Sequence, residues 1–310
     1  MSILVIGSFM MDLVVRTSRA PENGETIIGE RFGQFPGGKG ANQAVAAARL
    51  GATVSMAGKL GKDDFGREFL TVLEQERVGS DYVRTDASCS TGIGSIVIDQ
   101  TGQNRIIVVP GANMNFTVEE VDQLEEVIRA SQTLILQLEM RMEVVERAAE
   151  LAAKHGVPVI LNPAPAQALS DSLLKHVTYL TPNETELELL TGVKANGAEE
   201  IWGAAKLLIT RGVQHVIVTI GEKGAVICHA NGFHHVPGFP VSALDTVAAG
   251  DSFNGALAVE LLRGASLPEA VHFANAVGAL AVTKEGAIPS LPKRAEVDLF
   301  MLQQEAAAHH

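Results

Sequence analysis

The sequence predicts an α/β protein with a largely parallel central sheet, helices on both faces of that sheet and a small β-sheet lid. Over most of the 310 residues, short apolar runs of strand length alternate with longer segments of helical periodicity. This alternation is typical of a parallel sheet covered by helices. Two segments, at about residues 12–33 and 92–109, break the pattern because they read as strands with no helix between them. Such strands often form a small accessory sheet, which here would be placed to cover a ligand.

The predicted strands are short and mostly apolar. The run from Ile3 to Ile6 ends at Gly7 and suits a buried first strand of the central sheet. The second lid segment turns at Asp99 to Gly102, as a hairpin does. Further strand-like runs lie at residues 53–57, 133–138, 157–161, 177–181 and 215–220.

The predicted helices fill the intervals between these strands. Several end at a glycine, such as Gly51, Gly156 or Gly212, which is a common signal for the end of a helix. We find no internal repeat and no low-complexity linker, and we predict one domain over residues 1–304. Residues 305–310 read as the remnant of a linker and a tag. The helical patterns lie at residues 41–50, 64–76, 118–130, 143–155, 199–211, 251–263, 267–283 and 293–303.

Composition and charge narrow the class of protein. The formal net charge is −12 and no cluster of Lys or Arg stands out, so we expect no nucleic-acid partner. The two cysteines, Cys89 and Cys228, lie far apart and outside any metal-binding spacing, which argues against a disulfide framework or a zinc site. Neither a signal peptide nor a membrane-spanning run is recognisable. We therefore expect a cytoplasmic protein without a membrane partner.

A stretch of small residues leads into a helix near Asp251. An apolar helical periodicity begins at Phe253, so the helix starts close to this aspartate. The amides of Ala248, Ala249 and Gly250 would be unobstructed at the helix N-terminus and could hold a transferring phosphoryl group. A carboxylate at the same point could take a proton from an attacking hydroxyl. Alternatively, Asp251 simply caps the helix.

Residues 37–43 read Gly-Gly-Lys-Gly-Ala-Asn-Gln and lead directly into a helix. Paired glycines let a ligand approach the backbone closely, and Lys39 and Asn42 offer polar groups beside it. The spacing from Gly33 is nearly that of a P-loop, but Gly40 stands where a Ser or Thr hydroxyl would bind magnesium, which excludes a true P-loop. Taken alone, the segment could equally be a glycine turn before a helix.

Two further segments end predicted strands. Residues 181–186, Thr-Pro-Asn-Glu-Thr-Glu, open a helix in which Asn183 and Glu186 share one face and could reach hydrated Mg²⁺ and phosphate oxygens. Carboxylates in a first helical turn are, however, commonly caps, and this is the better interpretation of Glu184 taken alone. Residues 219–224, Thr-Ile-Gly-Glu-Lys-Gly, form a glycine turn that could border a nucleotide, although many hairpins look the same.

Together and in this order, these segments resemble the ribokinase family of carbohydrate kinases over residues 3–300. The resemblance implies a ribokinase-like fold and an enzyme that transfers the γ-phosphate of ATP to the primary (5-) hydroxyl of a sugar. It is carried by Gly-Gly-Lys-Gly-Ala-Asn-Gln at 37–43, Asn-Pro-Ala-Pro-Ala at 162–166, Thr-Pro-Asn-Glu-Thr-Glu at 181–186 and Asp-Thr-Val-Ala-Ala-Gly-Asp at 245–251.

The resemblance also implies a role for individual residues. Asp251 would be the catalytic base, and Ala248, Ala249 and Gly250 would form the anion hole for the γ-phosphate. Mg²⁺ would be held through water by Glu186. An exposed edge of the lid sheet could pair in a homodimer. The implied sugar contacts are Met10, Asp12, Gly38, Lys39, Asn42, Glu139 and Asp251. The implied nucleotide contacts are Asn183, Thr219, Gly221, Gly224, Gly250 and Asn275. The implied ligands of a monovalent cation, expected to be K⁺, are Asp245, Val247, Ala281, Lys284, Gly286 and Ser290.

One residue departs from the family pattern. Ribokinases typically carry asparagine two residues before the sugar-binding aspartate, where this chain has Met10. A thioether gives a sugar 2-hydroxyl no donor and only a weak acceptor, whereas it would pack well against the methylene of a 2-deoxy sugar. The sequence therefore favours 2-deoxy-D-ribose as the substrate. Alternatively, Met10 is a core residue and the 2-hydroxyl is bound elsewhere.

Several competing functions remain to be compared. Within the same fold, the enzyme could act on D-ribose, or less readily on fructose or a nucleoside. An NAD-dependent dehydrogenase would explain the opening strand, but residues 6–12 contain no G-x-G-x-x-G. A sugar-binding protein without catalysis would have no need of a base at Asp251.

Overall fold

The computed structural model describes residues 2–308, and strands are numbered here in chain order. Within these residues the central sheet has nine strands, parallel from β5 to β11 and antiparallel over β12 and β13 at one edge. The predicted parallel sheet is thus confirmed. From edge to edge the strands are β13 (Gly232–Pro237), β12 (Gly224–His229), β11 (His215–Thr219), β10 (Tyr179–Leu180), β9 (Val159–Leu161), β8 (Thr133–Leu136), β1 (Ser2–Ile6), β4 (Thr53–Gly61) and β5 (Val78–Asp86).

Each face of the central sheet is covered by its own group of helices. In β1, Ile3 and Val5 pack into the core on one face, while Leu4 and Ile6 pack into the core on the other. Side chains on both faces of β1 are therefore apolar and buried, which places this strand in the centre of the protein. The first core includes α1 (Lys39–Arg49), α2 (Asp64–Gln75), α9 (Ala249–Leu262), α10 (Leu267–Ala281) and α11 (Arg294–Ala308). The second includes α3 (Val118–Asp122), α4 (Glu125–Ala130), α5 (Met142–Lys154), α6 (Asp171–Leu174), α7 (Glu184–Thr191) and α8 (Ala198–Thr210).

The lid is a second, smaller sheet in the order β3-β2-β6-β7. Strand β2 pairs with β3 antiparallel and with β6 parallel, and β6 pairs with β7 as the predicted hairpin. The predicted limits of the first lid segment, 12 and 33, were too narrow: pairing begins with Met10 opposite Gly37, and residues 17–30 between the two strands form no strand. The lid strands are β2 (Met10–Arg16), β3 (Arg31–Gly37), β6 (Gly92–Ile98) and β7 (Asn104–Val109).

Several further elements differ from the sequence prediction. The helix expected at 118–130 is broken into α3 and α4, because Leu124 leaves helical geometry with ψ near 1°. Strand β5 and the hairpin of β12 and β13 were not predicted: β5 and β13 have mixed sequences with a weak periodicity, and β12 is a short apolar run that directly follows a glycine turn. The last helix continues to Ala308, into the segment predicted to be a linker; residues 309 and 310 lie outside the described part of the chain. Among the described residues, no helix is both long and apolar enough to cross a bilayer.

Helices α1 and α9 cross at very short range, and this crossing places the polar residues of both. A Cβ on Gly255 would lie 2.8 Å from Ala46 Cβ, 2.9 Å from the Gln43 carbonyl oxygen and 3.0 Å from the Ala47 amide nitrogen. Glycine at 255 therefore lets the two backbones approach almost to contact. One turn earlier on α9 lies Asp251, which is brought beside the first turn of α1.

We predict that Gly255→Ala lowers stability and activity together. The added methyl would push against backbone atoms that cannot rotate away, so we expect a loss of about 1–3 kcal/mol, seen as a lower unfolding midpoint, and a reduced kcat. Gly203→Ala in α8 is the matched control, because a Cβ there meets no atom within 4 Å. That change should be neutral or stabilise the helix by about 0.5–1 kcal/mol. Equal midpoints for the two variants would show that the helix crossing is not tight.

Candidate active site

A cavity of about 430 Å³ lies between the lid and the carboxyl ends of the central strands. Side chains from the lid strand β2, the start of α1, the loop after β8 and the start of α9 all reach it. The structure brings together all of the residues that the sequence analysis assigned to the sugar, namely Met10, Asp12, Gly38, Lys39, Asn42, Glu139 and Asp251.

Asp251 is buried in the first turn of α9, with 6% of its surface exposed. The Asn42 side-chain amide donates to its Oδ2 at 2.8 Å, and the Gln43 side-chain amide donates to its Oδ1 at 3.0 Å. Both donors come from consecutive residues of α1. The carboxylate is therefore held by two neutral amides, each of which engages one oxygen.

The backbone just before Asp251 is unusual for a non-glycine residue. Ala248 adopts the left-handed conformation with φ of 61° and ψ of 5°, and α9 begins at the next residue. Non-glycine residues in this region are strained and cluster at functional sites. The strained turn delivers the first amides of α9 to the edge of the cavity, where the N–H groups of a first helical turn have no intrahelical acceptor.

Lys39 and Glu139 form the floor of the cavity beside Asp251. The Lys39 amide nitrogen donates to Glu139 Oε2 at 3.0 Å, and the Ser8 hydroxyl donates to the same oxygen. Burial disfavours the ammonium of Lys39, but Asp251, Glu139 and the other nearby carboxylates outweigh this and hold the pKa of Lys39 above its ordinary value. Lys39 therefore stays charged, and Glu139 is fixed in place by α1.

Asp12 reaches into the cavity from the lid. Burial, followed by the charges of Glu139, Asp245 and Asp251, raises the pKa of Asp12 from its ordinary 3.8 to about 7, against the opposing effect of Lys39. Burial and the neighbouring carboxylates therefore disfavour the ionised form of Asp12, and a ligand hydroxyl that donates a hydrogen bond to this carboxylate would stabilise it.

A second cavity, of about 370 Å³, adjoins the first. Apolar side chains such as Phe239, Val241 and Val282 line part of it and suit a flat aromatic base. All of the residues assigned to the nucleotide lie on its walls: Asn183, Thr219, Gly221, Gly224, Gly250 and Asn275. Asn275 also donates its side-chain amide to the carbonyls of Val236 and Pro237, which fixes the turn after β13.

The two cavities meet at Gly250. This residue lines both of them, together with Asn183, Thr219 and Thr246. A Cβ on Gly250 would find no protein atom within 4 Å, so the space beside its backbone is open. A ligand that spans the cavities would pass this helix N-terminus, where backbone amides and the helix dipole favour an anionic group.

Asn183 and Glu186 form a capping box at the start of α7. The Glu186 amide donates to Asn183 Oδ1 at 2.8 Å, and the Asn183 amide donates to Glu186 Oε2 at 2.9 Å. Both side chains also line the first cavity. Burial raises the pKa of Glu186, which a backbone hydrogen bond and Lys39 only partly offset. Asn183 and Glu186 thus cap α7 and also face the cavity, so their capping role does not exclude a role in binding.

The residues implied for a monovalent cation are only partly brought together. Asp245 accepts hydrogen bonds from the amides of Val247 and Gly286, both at 3.0 Å, and all three line a cleft under the lid. Lys284 instead pairs its ammonium with Glu296 at 2.8 Å.

Ser290 and Ala281 lie in the interior of the protein. Ser290 is fully buried, and its hydroxyl donates to the Ala287 carbonyl oxygen at 2.8 Å. Ala281 is also fully buried, at the end of α10. From these positions a cation would be offered backbone carbonyls rather than charge.

Close packing explains why position 40 is a glycine, which the comparison with a P-loop did not. A Cβ at this position would lie 2.4 Å from the Ser8 amide nitrogen and 2.7 Å from Gly7 Cα. Because glycine has no side chain, the backbone at the start of α1 can pack directly against the backbone at the end of β1.

The sequence analysis missed a buried layer of polar side chains beneath Asp251. Gln43 and Gln137 are almost fully buried, and Asn162 and Asn254 lie beside them. Gln43 and Asn162 belong to the segments that carried the family resemblance. Both are polar residues inside otherwise apolar segments, and this pattern could have indicated a buried polar layer.

Comparison with known proteins agrees with this fold and site. The fold and the adjoining cavities are those of a phosphotransferase that acts on a small polar acceptor, and the chain matches the model of the pfkB family carbohydrate kinases over residues 1–294. The chain belongs to this family, and it is an ATP-dependent sugar kinase of the ribokinase type.

Relatives of both specificities resemble the chain over nearly its whole length. A ribokinase of Haemophilus influenzae is 40% identical over 300 residues, which cover 97% of this chain and 98% of the relative. A deoxyribokinase of Salmonella typhi is 38% identical over 306 residues, which cover 98% of this chain and all of the relative. The structure of Arabidopsis thaliana ribokinase complexed with ribose and ATP superposes with a TM-score of 0.92 at 35% identity and covers 96% of this chain and 97% of that one.

We predict that Asp12→Asn stabilises the unliganded protein at alkaline pH. The folded protein keeps the Asp12 proton up to about pH 7, whereas an ordinary aspartate loses it near 3.8. Stability therefore falls as the pH rises through this window, and the asparagine removes the loss. We expect a gain on the order of 2 kcal/mol at pH 8, discounted for partial exposure, and none below about pH 4.

The measurement is the thermal unfolding midpoint of both proteins from pH 4 to 8 without ligand. Asp81→Asn, at an exposed position on β5, controls for the loss of one negative charge. A gain that is the same at every pH, or equal in the two variants, would contradict the burial of Asp12.

Proposed function

We propose that the protein transfers the γ-phosphate of ATP to the 5-hydroxyl of a pentose and prefers 2-deoxy-D-ribose to D-ribose. The observation that carries the reaction is the buried Asp251 carboxylate, which lies beside the junction of a polar cavity and a nucleotide-sized cavity. The observation that carries the preference is Met10 in the wall of the polar cavity.

Asp251 acts as the general base in this proposal. Its two oxygens each accept one amide hydrogen bond from α1, so each keeps a further lone pair for the sugar hydroxyl. The amides of Ala248, Ala249 and Gly250 bind the phosphoryl oxygens as negative charge moves towards the acceptor. Lys39 remains charged and lies near Asp251, where it adds positive charge at the same end of the cavity.

Two cations complete the proposed chemistry. Within residues 2–308, no three His, Cys, Asp or Glu side chains are placed to hold a metal together, which fits Mg²⁺ bound mainly by phosphate oxygens and water with Glu186 behind the water. When bound, Mg²⁺ neutralises phosphate charge. For K⁺, the carboxylate of Asp245 would supply the charged ligand, and the hydrogen bonds from the amides of Val247 and Gly286 hold that carboxylate in place. Turnover measured with EDTA, and with K⁺ replaced by a bulky organic cation, tests both assignments.

The apolar wall around Met10 supports a deoxy sugar. Strands β6 and β7 add Ile96, Ile106 and Val108 to the same cavity, and Met10 itself is 5% exposed. A buried 2-hydroxyl facing this wall would lose water without a good partner. The deoxyribokinase relative shows that both specificities occur at this level of similarity, and D-ribose is the alternative substrate.

We also propose that two copies pair through the lid. In β7, Ile106 and Val108 line the cavity, so the alternate residues Ile107 and Val109 belong to the opposite face, where they are 68% and 44% exposed. An apolar face beside an unpaired strand edge is a common pairing surface. Light scattering after size-exclusion chromatography should give the mass of a dimer, and Ile107→Lys should give the mass of a monomer; a wild-type monomer would contradict the proposal.

The role of Asp251 is tested by Asp251→Asn. We expect kcat to fall by at least about 100-fold, because the amide cannot accept the proton, while ATP binding persists. Turnover, ATP binding by calorimetry and the unfolding midpoint are measured on one preparation. A variant that turns over near the wild-type rate would show that Asp251 is not the base and only links α9 to α1 through its hydrogen bonds.

The substrate preference is tested by Met10→Asn. We expect the wild type to favour 2-deoxyribose over ribose by roughly 5- to 150-fold in kcat/KM, since an apolar wall cannot strongly reject an analogue that adds a hydroxyl. Met10→Asn should narrow or reverse this ratio, whereas Met10→Leu, which stays apolar, should preserve it. Both sugars are assayed at saturating ATP. A wild type that favours ribose, or a ratio that Met10→Asn leaves unchanged, would return the assignment to D-ribose.

A further inference from the structure

We propose that Gln43 is a positioning residue for phosphoryl transfer: its side-chain amide donates a hydrogen bond that orients the Asp251 carboxylate. Gln43 acts through Asp251 rather than on substrate, and the proposal rests on the role of Asp251 as the base. The supporting observation is a chain of buried amide side chains that leads from β8 to the carboxylate.

Gln43 uses its whole side-chain amide in this chain. Its Nε2 donates to Asp251 Oδ1 at 3.0 Å and to Asn162 Oδ1 at 3.2 Å. Its Oε1 accepts from Gln137 Nε2 at 2.6 Å. Gln43 has no measurable exposure, and Gln137 and Asn162 are 1% and 6% exposed. Water therefore cannot easily replace any of these hydrogen bonds.

The chain permits only one orientation of the Gln43 amide. Rotation by 180° would turn its oxygen towards two acceptors, Asp251 Oδ1 and Asn162 Oδ1, and would set its NH₂ against the NH₂ of Gln137. All three hydrogen bonds would be lost in a buried site, where unpaired polar groups are costly. Gln137 and Asn162 thereby determine that Gln43 presents a donor to Asp251.

A neutral donor suits a base better than a cation would. A buried carboxylate without donors favours its protonated form, which cannot accept the hydroxyl proton, whereas a cation in contact would lower its basicity. Gln43 and Asn42 each donate one neutral amide hydrogen to an oxygen of the Asp251 carboxylate. The charged groups that face Asp251 are Lys39 from α1, Asp12 from β2 and Glu186 from α7, and they remain in place when Gln43 is changed.

The same polar layer reaches the proposed anion hole. Asn162 donates to the Thr181 carbonyl oxygen at 3.4 Å, and the Thr181 hydroxyl donates to Asn254 Oδ1 at 2.6 Å. Asn254 in turn donates to the Gly250 carbonyl oxygen at 2.8 Å. The orientation of the base and the position of the Gly250 peptide are thus linked through one set of side chains.

The test compares Gln43→Leu and Gln43→Glu in steady-state kinetics over a range of pH. Gln43→Leu should lower kcat by roughly 10- to 100-fold, as for other residues that orient a reacting group, while KM for sugar and ATP changes less than about threefold. The acid limb of the kcat profile should move to higher pH, because the base loses a donor. Gln43→Glu should move this limb further, since a second carboxylate beside Asp251 opposes its ionisation, and activity should partly recover at high pH.

Two more variants separate positioning from packing. Thr133→Val removes a buried hydroxyl at the start of β8, away from Asp251, and should leave kcat and the pH profile unchanged. Gln137→Leu frees Gln43 to rotate and should give a smaller loss of kcat with the same direction of pH change. If the Gln43 variants fail to fold, Gln137→Leu tests the proposal instead. An acid limb of its kcat profile at the same pH as in the wild type would overturn the proposal.

The outcome also distinguishes the positioning role from the proposed function. If Asp251→Asn is inactive while the Gln43 variants keep the wild-type kcat and pH profile, Asp251 is the base and Gln43 is not its positioning residue. If Asp251→Asn is active, the proposed function itself is wrong. A lower unfolding midpoint with an unmoved pH profile would assign Gln43 a structural role only.

Discussion

The active site depends on the close crossing of α1 and α9. Gly255 allows the backbones to touch near Gln43, and one turn away the side chains of Asn42 and Gln43 reach the carboxylate of Asp251. These two helices are separated by about 200 residues in sequence, yet they carry Lys39, which is proposed to bind the sugar, and the proposed base. The packing of small residues between helices, rather than any loop, therefore sets the geometry of the reacting groups.

The charged side chains that line the cavity lower the stability of the protein and favour ligand binding. The carboxylates of Asp12, Glu139, Glu186 and Asp251 share one cavity with the single ammonium of Lys39 among its lining residues. Burial in the first place, and neighbouring carboxylates in the second, raise the pKa values of Asp12 and Glu186, so both effects disfavour negative charge in this cavity. A sugar supplies hydroxyl donors and a phosphate brings its cation, so ligands relieve the repulsion that the protein alone must bear.

The sequence predicted the parts of the fold that have strong periodicity, and short motifs located most of the site. The lid and the start of α9 could be anticipated from the pattern of residues, whereas the grouping of Asp12, Lys39 and Glu139 was implied by the family resemblance. Strand β5 could not be anticipated, since its identity depends on pairing with β4 rather than on its own pattern. The amide chain through Gln137 was equally hidden, because the partners of a buried polar residue are set by tertiary packing.

Chemistry and specificity are carried by different elements. The proposed base and anion-binding amides lie at the start of α9 and their polar support lies on α1, whereas Met10 and the apolar residues proposed to face the sugar lie on the lid. Met10 and Asp12 occupy alternate positions of β2, so they face the same side of the lid sheet. A substitution at position 10 can therefore alter which pentose is favoured without moving a group that takes part in proton or phosphoryl transfer. Relatives of nearly equal similarity with different pentose specificities are what this separation would produce.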